Sequence, residues 1–132
     1  MDNYNVFDEF IAELLRGQKI HTNQFYNEDG FIRAVFVSKK ALPNVSKMKS
    51  MIQECIHNYE LDNDCTLEDV DISAKRVRLL NTSVFYLHLE ASAIHSENHR
   101  VYWLEIDITD HTEAYLAVNM PYVVDVKCYY ED

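Results

Sequence analysis

Between residues 83 and 110 the chain carries two long runs in which apolar and polar residues alternate. Successive side chains of a strand point to opposite faces, so this stretch is committed to a β-hairpin. Phe85, Leu87, Leu89, Ala91 and Ala93 share one parity, and Tyr102, Leu104, Ile106 and Ile108 repeat it on the return run. The other parity carries Tyr86, His88, Glu90 and Ser92, then Trp103, Glu105 and Asp107. A two-residue loop at Glu97-Asn98 would set Ser96 opposite His99, Leu89 opposite Ile106, Glu90 opposite Glu105 and His88 opposite Asp107. A slip of one residue would turn the whole apolar set into water, whereas a slip of two keeps the faces and changes only the partners.

The rest of the chain supplies elements to pack on that hairpin. Asn5 is placed to cap a helix over Val6 to Arg16, in which Phe7, Phe10, Ile11, Leu14 and Leu15 form one stripe and Gly17 suits the C-terminal stop. A second hairpin is expected from Ile20 to Tyr26 and Phe31 to Ser38, around Asn27-Glu28-Asp29-Gly30. Its second strand has apolar residues of both parities, which marks an interior strand. After Pro43, with Asn44 or Ser46 as cap, the stripe Val45, Met48, Ile52, Cys55, Ile56 and Tyr59 predicts a second helix lying across the sheet.

Residues 60 to 71 hold six acids, read as a solvated connection from helix to strand, with an acidic patch open to a basic partner as the other reading. Asp62-Asn63-Asp64 opens like a calcium loop. The count then puts Leu67 where that loop needs Gly and Ser73 where it needs Glu, so an EF-hand is rejected. Val70, Ile72 and Ala74 alternate, Val77 and Leu79 take the opposite parity, and a bulge or break is expected at Lys75-Arg76. Two further strands follow over Ala114 to Met120 and Tyr122 to Tyr130. The predicted fold class is therefore α+β in one domain spanning 1–132: a twisted, mainly antiparallel sheet with two helices on one side, in the order α-β-β-α-β-β-β-β-β.

Composition narrows the function classes. Twelve Lys and Arg against 22 Asp and Glu give a net charge of −10, which disfavours nucleic acid and anionic membranes and favours a basic partner. Two Gly leave little material for a phosphate-cradling loop. The three Cys, 55, 65 and 128, form no Cys-x-x-Cys pair, and Met1-Asp2-Asn3-Tyr4 opens no charged-then-apolar leader; free thiols and a cytoplasmic setting are expected. No nucleophile motif and no metal-ligand spacing is present, so no cofactor and no metal are expected, the scattered His95, His99 and His111 included.

The residues that could carry chemistry sit on the polar face of the central hairpin. His88 and Glu90 would point the same way with their cross-strand neighbours Asp107 and Glu105 within about 5 Å, a set that could bind a divalent metal or do acid–base work, with plain solvation of the sheet as the favoured reading. Trp103 shares that face, and Tyr115, Tyr122, Tyr129 and Tyr130 would extend an aromatic and acidic surface around it. From Glu105 to Asp132 there are seven acids and Lys127 as the one Lys or Arg.

The leading expectation is a protein-binding module of inhibitor, immunity or adaptor type. It would engage a basic protein surface through Glu90, Trp103, Glu105, Asp107, Tyr115 and Tyr122. One alternative is a curved-sheet pocket protein, binding a small molecule or using His88 with a carboxylate as an acid–base enzyme. Another is an oligomeric subunit, a homodimer in the simplest case. Secretion chaperones are similar in size, acidity and class, although the C-terminal helix is missing here.

Overall fold

The computed structural model describes residues 5–16, 22–24, 32–38, 42–78, 85–110 and 122–132. Its elements are α1 (Asp8–Leu15), β1 (Thr22–Gln24), β2 (Ile32–Ser38), α2 (Val45–Asn63), β3 (Leu67–Arg78), β4 (Phe85–His95), β5 (Val101–Asp110) and β6 (Tyr122–Glu131). The fold is α+β. The strands form one sheet in the order β1-β2-β6-β5-β4-β3, with every neighbouring pair antiparallel. The strand expected over Ala114 to Met120 lies outside the described residues, as does Gly17.

The central hairpin has the register its alternation implies: Leu89 pairs with Ile106, Glu90 with Glu105 and His88 with Asp107. Its loop is longer than two residues. The His95 N–H bonds the Arg100 carbonyl at 2.9 Å, and the His99 N–H reaches back to the His95 carbonyl at 3.0 Å. Four residues, Ser96 to His99, thus make the turn, with His99 in the left-handed region at φ 62°. Lengthening the loop by one residue at each end leaves the pairing unchanged.

In β3 the expected irregularity is real but displaced. Pairing with β4 runs unbroken from Asp71 to Arg78, and the register shifts between Glu68 and Asp71, where Asp69 has φ 48°. The bulge reverses the parity, so Leu67 before it and Ile72 after it both reach the core, while Val70 is left 45% exposed.

Asn5 does not cap α1: the residue at its N-cap is Phe7, which has no side-chain cap, and Asn5 instead closes the turn ahead of the helix, its Oδ1 accepting the Phe7 N–H at 3.1 Å while Asp8 Oδ2 accepts the Asn5 N–H at 2.9 Å. The regular helix begins at Asp8, two residues later than expected, because Val6 and Phe7 form the preceding turn. Of the two candidate caps of α2 the structure uses Asn44, which accepts the Lys47 N–H at 2.8 Å. The helix stops where Asp64 turns left-handed at φ 49° and the Cys65 N–H bonds the Glu60 carbonyl. Glu60 then accepts the Leu67 N–H at 2.9 Å, which fixes the start of β3 to the helix end. The acidic run 60–71 is therefore divided between the end of α2, its cap and the bulged strand, with Asp62, Asp64, Glu68, Asp69 and Asp71 exposed.

One hydrophobic cluster joins the helices to a single face of the sheet. Phe7, Phe10, Ile11 and Leu14 of the α1 region and Met48, Ile52, Cys55 and Ile56 of α2 meet Phe36, Leu89, Leu104, Ile106, Val124, Val126 and Cys128. Fully burying each large aliphatic or aromatic side chain contributes about 1.5–3 kcal/mol. Cys128 is core, and Cys55, Cys65 and Cys128 are all free thiols. Among the described residues no helix is long and apolar enough to cross a membrane.

Candidate functional site

The other sheet face carries no helix among the described residues, and its side chains there are half-buried or exposed. Strand pairing sets them in rows. One row reads Lys75, His88, Asp107, Asp125 and Val35; the next reads Ser73, Glu90, Glu105, Lys127 and Arg33.

His88 is the pivot of the first row. Its Nδ1 lies 2.5 Å from Asp107 Oδ1, directly across the strand pair, and its Nε2 lies 2.7 Å from Glu90 Oε1, two residues along the same strand. With a carboxylate at each nitrogen, the imidazolium is the form that satisfies both acceptors. The hydrogen bond to Asp107 and, behind it, that to Glu90 raise the His88 pKa above its ordinary value, against the opposing effect of burial. A raised histidine pKa stabilises the fold fully below the unfolded value of about 6.5, and that stabilisation is lost as pH climbs through the higher folded value. The His88 ring should therefore titrate in an NMR experiment with a midpoint above about 6.5. Replacing it with Gln should remove a pH-dependent contribution of up to about 1 kcal/mol, because the Glu90 side chain is 46% exposed and solvent screens the pair. A midpoint below 6.5 would mean that the carboxylates do not hold the ring.

The like-charge pair Glu90 and Glu105 is compensated on both sides. Glu90 is held by His88, and Lys127 stands opposite Glu105. Arg33 binds Asp125 through two bonds, Nε to Oδ1 at 3.1 Å and Nη2 to Oδ2 at 2.8 Å. The two rows thus set four carboxylates against Lys75, Lys127, Arg33 and the His88 ring, so the acidity of the middle of this face is offset in part.

The next rows differ in character. Asp71, Ser92, Trp103 and Tyr129 form one, and Glu68, Ile94, Val101 and Glu131 the other. Trp103 and Tyr129 stack, with ring centroids 6.3 Å apart and planes at 21°. The Tyr129 hydroxyl pKa is raised, first by burial, then by the charges of Glu105, Glu131 and Glu90 and by its hydrogen bond with Glu105. The indole Nε1 of Trp103 is buried and makes no hydrogen bond, which costs about 1–3 kcal/mol. Half-buried Ile94 and Val101 extend the apolar area, and Glu68, Asp71, Glu105 and Glu131 surround it.

Of the residues singled out from sequence, Glu90, Trp103, Glu105 and Asp107 do share one face. Tyr115 lies outside the described residues. Tyr122 opens β6 opposite Asp110 and Ser38, with its side chain outside the description. Tyr130 does not belong to this surface. It has the opposite parity and lies against the core face, 6.1 Å from Tyr102 and under the Arg100 guanidinium. Sequence reasoning missed the pairing of Trp103 with Tyr129, which requires knowing that β6 lies beside β5. It also missed a cleft of about 470 Å³ between α1 and α2, on the helical side of the molecule, whose lining includes none of the His88 group. His95 spends its Nδ1 on the N–H of Glu97 inside the hairpin loop. Among the described residues no group of three or more His, Cys, Asp or Glu is placed to hold a metal ion. Searches against family models, curated proteins and solved structures find no match to this chain.

Proposed function

We propose that the chain is a protein-binding module whose open sheet face docks a partner of basic surface, with the Trp103–Tyr129 stack as its anchor. The observation that carries this reading is an aromatic and aliphatic patch, Trp103, Tyr129, Ile94 and Val101, ringed by Glu68, Asp71, Glu105 and Glu131 on a face that no described element covers. Buried aromatic anchors inside a polar rim are where interface energy concentrates. The rim, together with the net charge of −10, selects a partner that brings Lys or Arg. His88, Glu90 and Asp107 adjoin the patch as a rigid support. An acid–base role for His88 is less well supported, since both ring nitrogens are engaged by carboxylates.

The test is capture of a partner from the native host, followed by association kinetics with the purified pair. Trp103→Ala should weaken binding by about 2 kcal/mol or more, roughly thirtyfold. The association rate should fall as ionic strength rises past the point where charges about 8 Å apart are screened. A rate indifferent to salt, or a Trp103→Ala variant that binds like wild type, would remove this face from the proposal.

A further inference from the structure

At one end of the sheet β3 pairs with β4 alone, and among the described residues no strand lies on its other side. This edge runs for 12 residues, whereas β1 at the opposite edge has three. Two bonds fix which residues aim outward. The His95 N–H goes to the Arg100 carbonyl, toward β5, and the next N–H, of Ser96, goes to the Thr66 carbonyl on the β3 side. Backbone groups alternate sides along an antiparallel strand, so Ser92, Glu90 and His88 aim at their partners Asp71, Ser73 and Lys75. Ile72 and Ala74, which lie between those partners, therefore turn their N–H and C=O groups away from β4.

An unpaired edge is a template for another strand, and the side chains of this one select which. Glu68, Asp69 and Asp71 come first, Lys75 and Arg76 follow, and all five are exposed. A two-fold axis through Ser73, perpendicular to the sheet, lays a second β3 antiparallel on the first. Asp71 then faces Lys75 of the partner subunit, and Lys75 faces Asp71 of the partner subunit, both on the open side of the sheet. On the other side Ile72 meets Ala74 of the partner subunit. Ile72 and Ala74 are half-buried at the margin of the core, and this contact completes their cover. Moving the axis to Ile72 or Ala74 sets Asp71 opposite Ser73 or Val77 and loses the charge match. Exposed ion pairs add little affinity, so their effect here is on register and choice of partner. A second copy supplies the required order of signs by symmetry.

We propose that the chain forms a two-fold dimer through antiparallel pairing of β3 with β3 of a second copy, centred on Ser73. The pairing continues the sheet from one copy into the other and sets their open faces side by side. It does not depend on what the open face binds.

Sedimentation equilibrium of the full chain tests this. Each copy carries a net charge of −10, so the measurement is made at physiological ionic strength, where charges more than about 8 Å apart are screened. The mass should rise toward twice 15.5 kDa between about 10 μM and 1 mM. Over the same range the Ile72 and Ala74 amides should exchange with solvent more slowly. Ala74→Pro removes an N–H that β4 does not use and should abolish the dimer. Asp71→Lys and Lys75→Asp, both at exposed positions, should each weaken self-association about tenfold or more, since like charges then face each other. Mixing these two variants should restore it, because every facing pair is again opposite in sign. An amide correlation spectrum reports whether each variant is folded; if Ala74→Pro is not, the mixing experiment decides the matter. A chain that stays monomeric at millimolar concentration, a folded Ala74→Pro that dimerises like wild type, or single-charge variants whose mixture associates no better than either alone would each overturn the proposal.

Discussion

Leu89→Asp should leave no folded protein, whereas Glu90→Gln, one residue along the same strand, should cost no more than about 1 kcal/mol. Leu89 is fully buried, between Ala74 of β3 and Ile106 of β5. The substitution forfeits about 1.5–3 kcal/mol of apolar burial and strands an ion among hydrocarbon, a penalty of several kcal/mol more. Domains of this size hold about 5–15 kcal/mol in all. Glu90 faces the other way, with its side chain 46% exposed and bonded to His88, and the oxygen of Gln can still accept that bond. From the sequence alone Glu90→Gln reads as neutral or slightly stabilising, since it relieves the opposition to Glu105. The His88 contact moves the expectation to a small loss. Urea unfolding and an amide correlation spectrum check both variants; a folded Leu89→Asp beside an unfolded Glu90→Gln would mean the two faces are reversed.

The second large effect is expected at Phe10→Ala, about 3–5 kcal/mol by chemical denaturation. Eight residues are too few for a helix to persist alone in water, so α1 exists because of what it buries. Phe10 is 1% exposed and belongs to the cluster that holds Phe36, Ile52 and Cys128. The Asn5 and Asp8 bonds in the turn ahead of the helix cannot substitute for that burial, since a hydrogen bond contributes only about 1 kcal/mol net. A loss below about 1 kcal/mol would show that α1 does not rest on the core.

These two residues also show what was legible in the sequence. Leu89 and Phe10 are assigned by periodicity, and periodicity is a local property. The stripe of α2 is read the same way: Met48, Ile52, Cys55 and Ile56 are buried, with Val45 and Tyr59 half-buried at its ends. The hairpin register follows for a related reason, because a loop that grows evenly on both sides leaves Glu90 opposite Glu105. What local pattern cannot carry is a positive φ at a residue other than Gly. Asp69 places the bulge, and nothing in the smooth alternation of Val70, Ile72 and Ala74 announces it. Nor can it carry adjacency between distant segments. The candidate acids were visible, but the stack of Trp103 on Tyr129 depends on β6 lying beside β5. The cleft depends on Val6 and Asp8 meeting Cys55 and Tyr59, nearly fifty residues away. Nor does the count of acids from Glu105 to Asp132 reveal that Arg33 arrives from β2 to hold Asp125, a partner 92 residues distant.

That last distance has a consequence for how the protein is made. The sheet consists of a β1–β2 piece and a β3–β4–β5 piece, and β6 is the joint between them. Translation at about 5–20 residues per second separates the appearance of Arg33 from that of Asp125 by roughly 5–18 s. Throughout that interval the β2 edge that will receive β6 is without its partner, as is the far edge of β5 once residues 101–110 have been made, and an unpaired edge is a template for the wrong strand. Vectorial synthesis therefore delivers two half-sheets first and their fastener afterwards. Nascent chains stalled before residue 122 should be the species that ribosome-associated holdases retain, and release should come with the ten residues that follow.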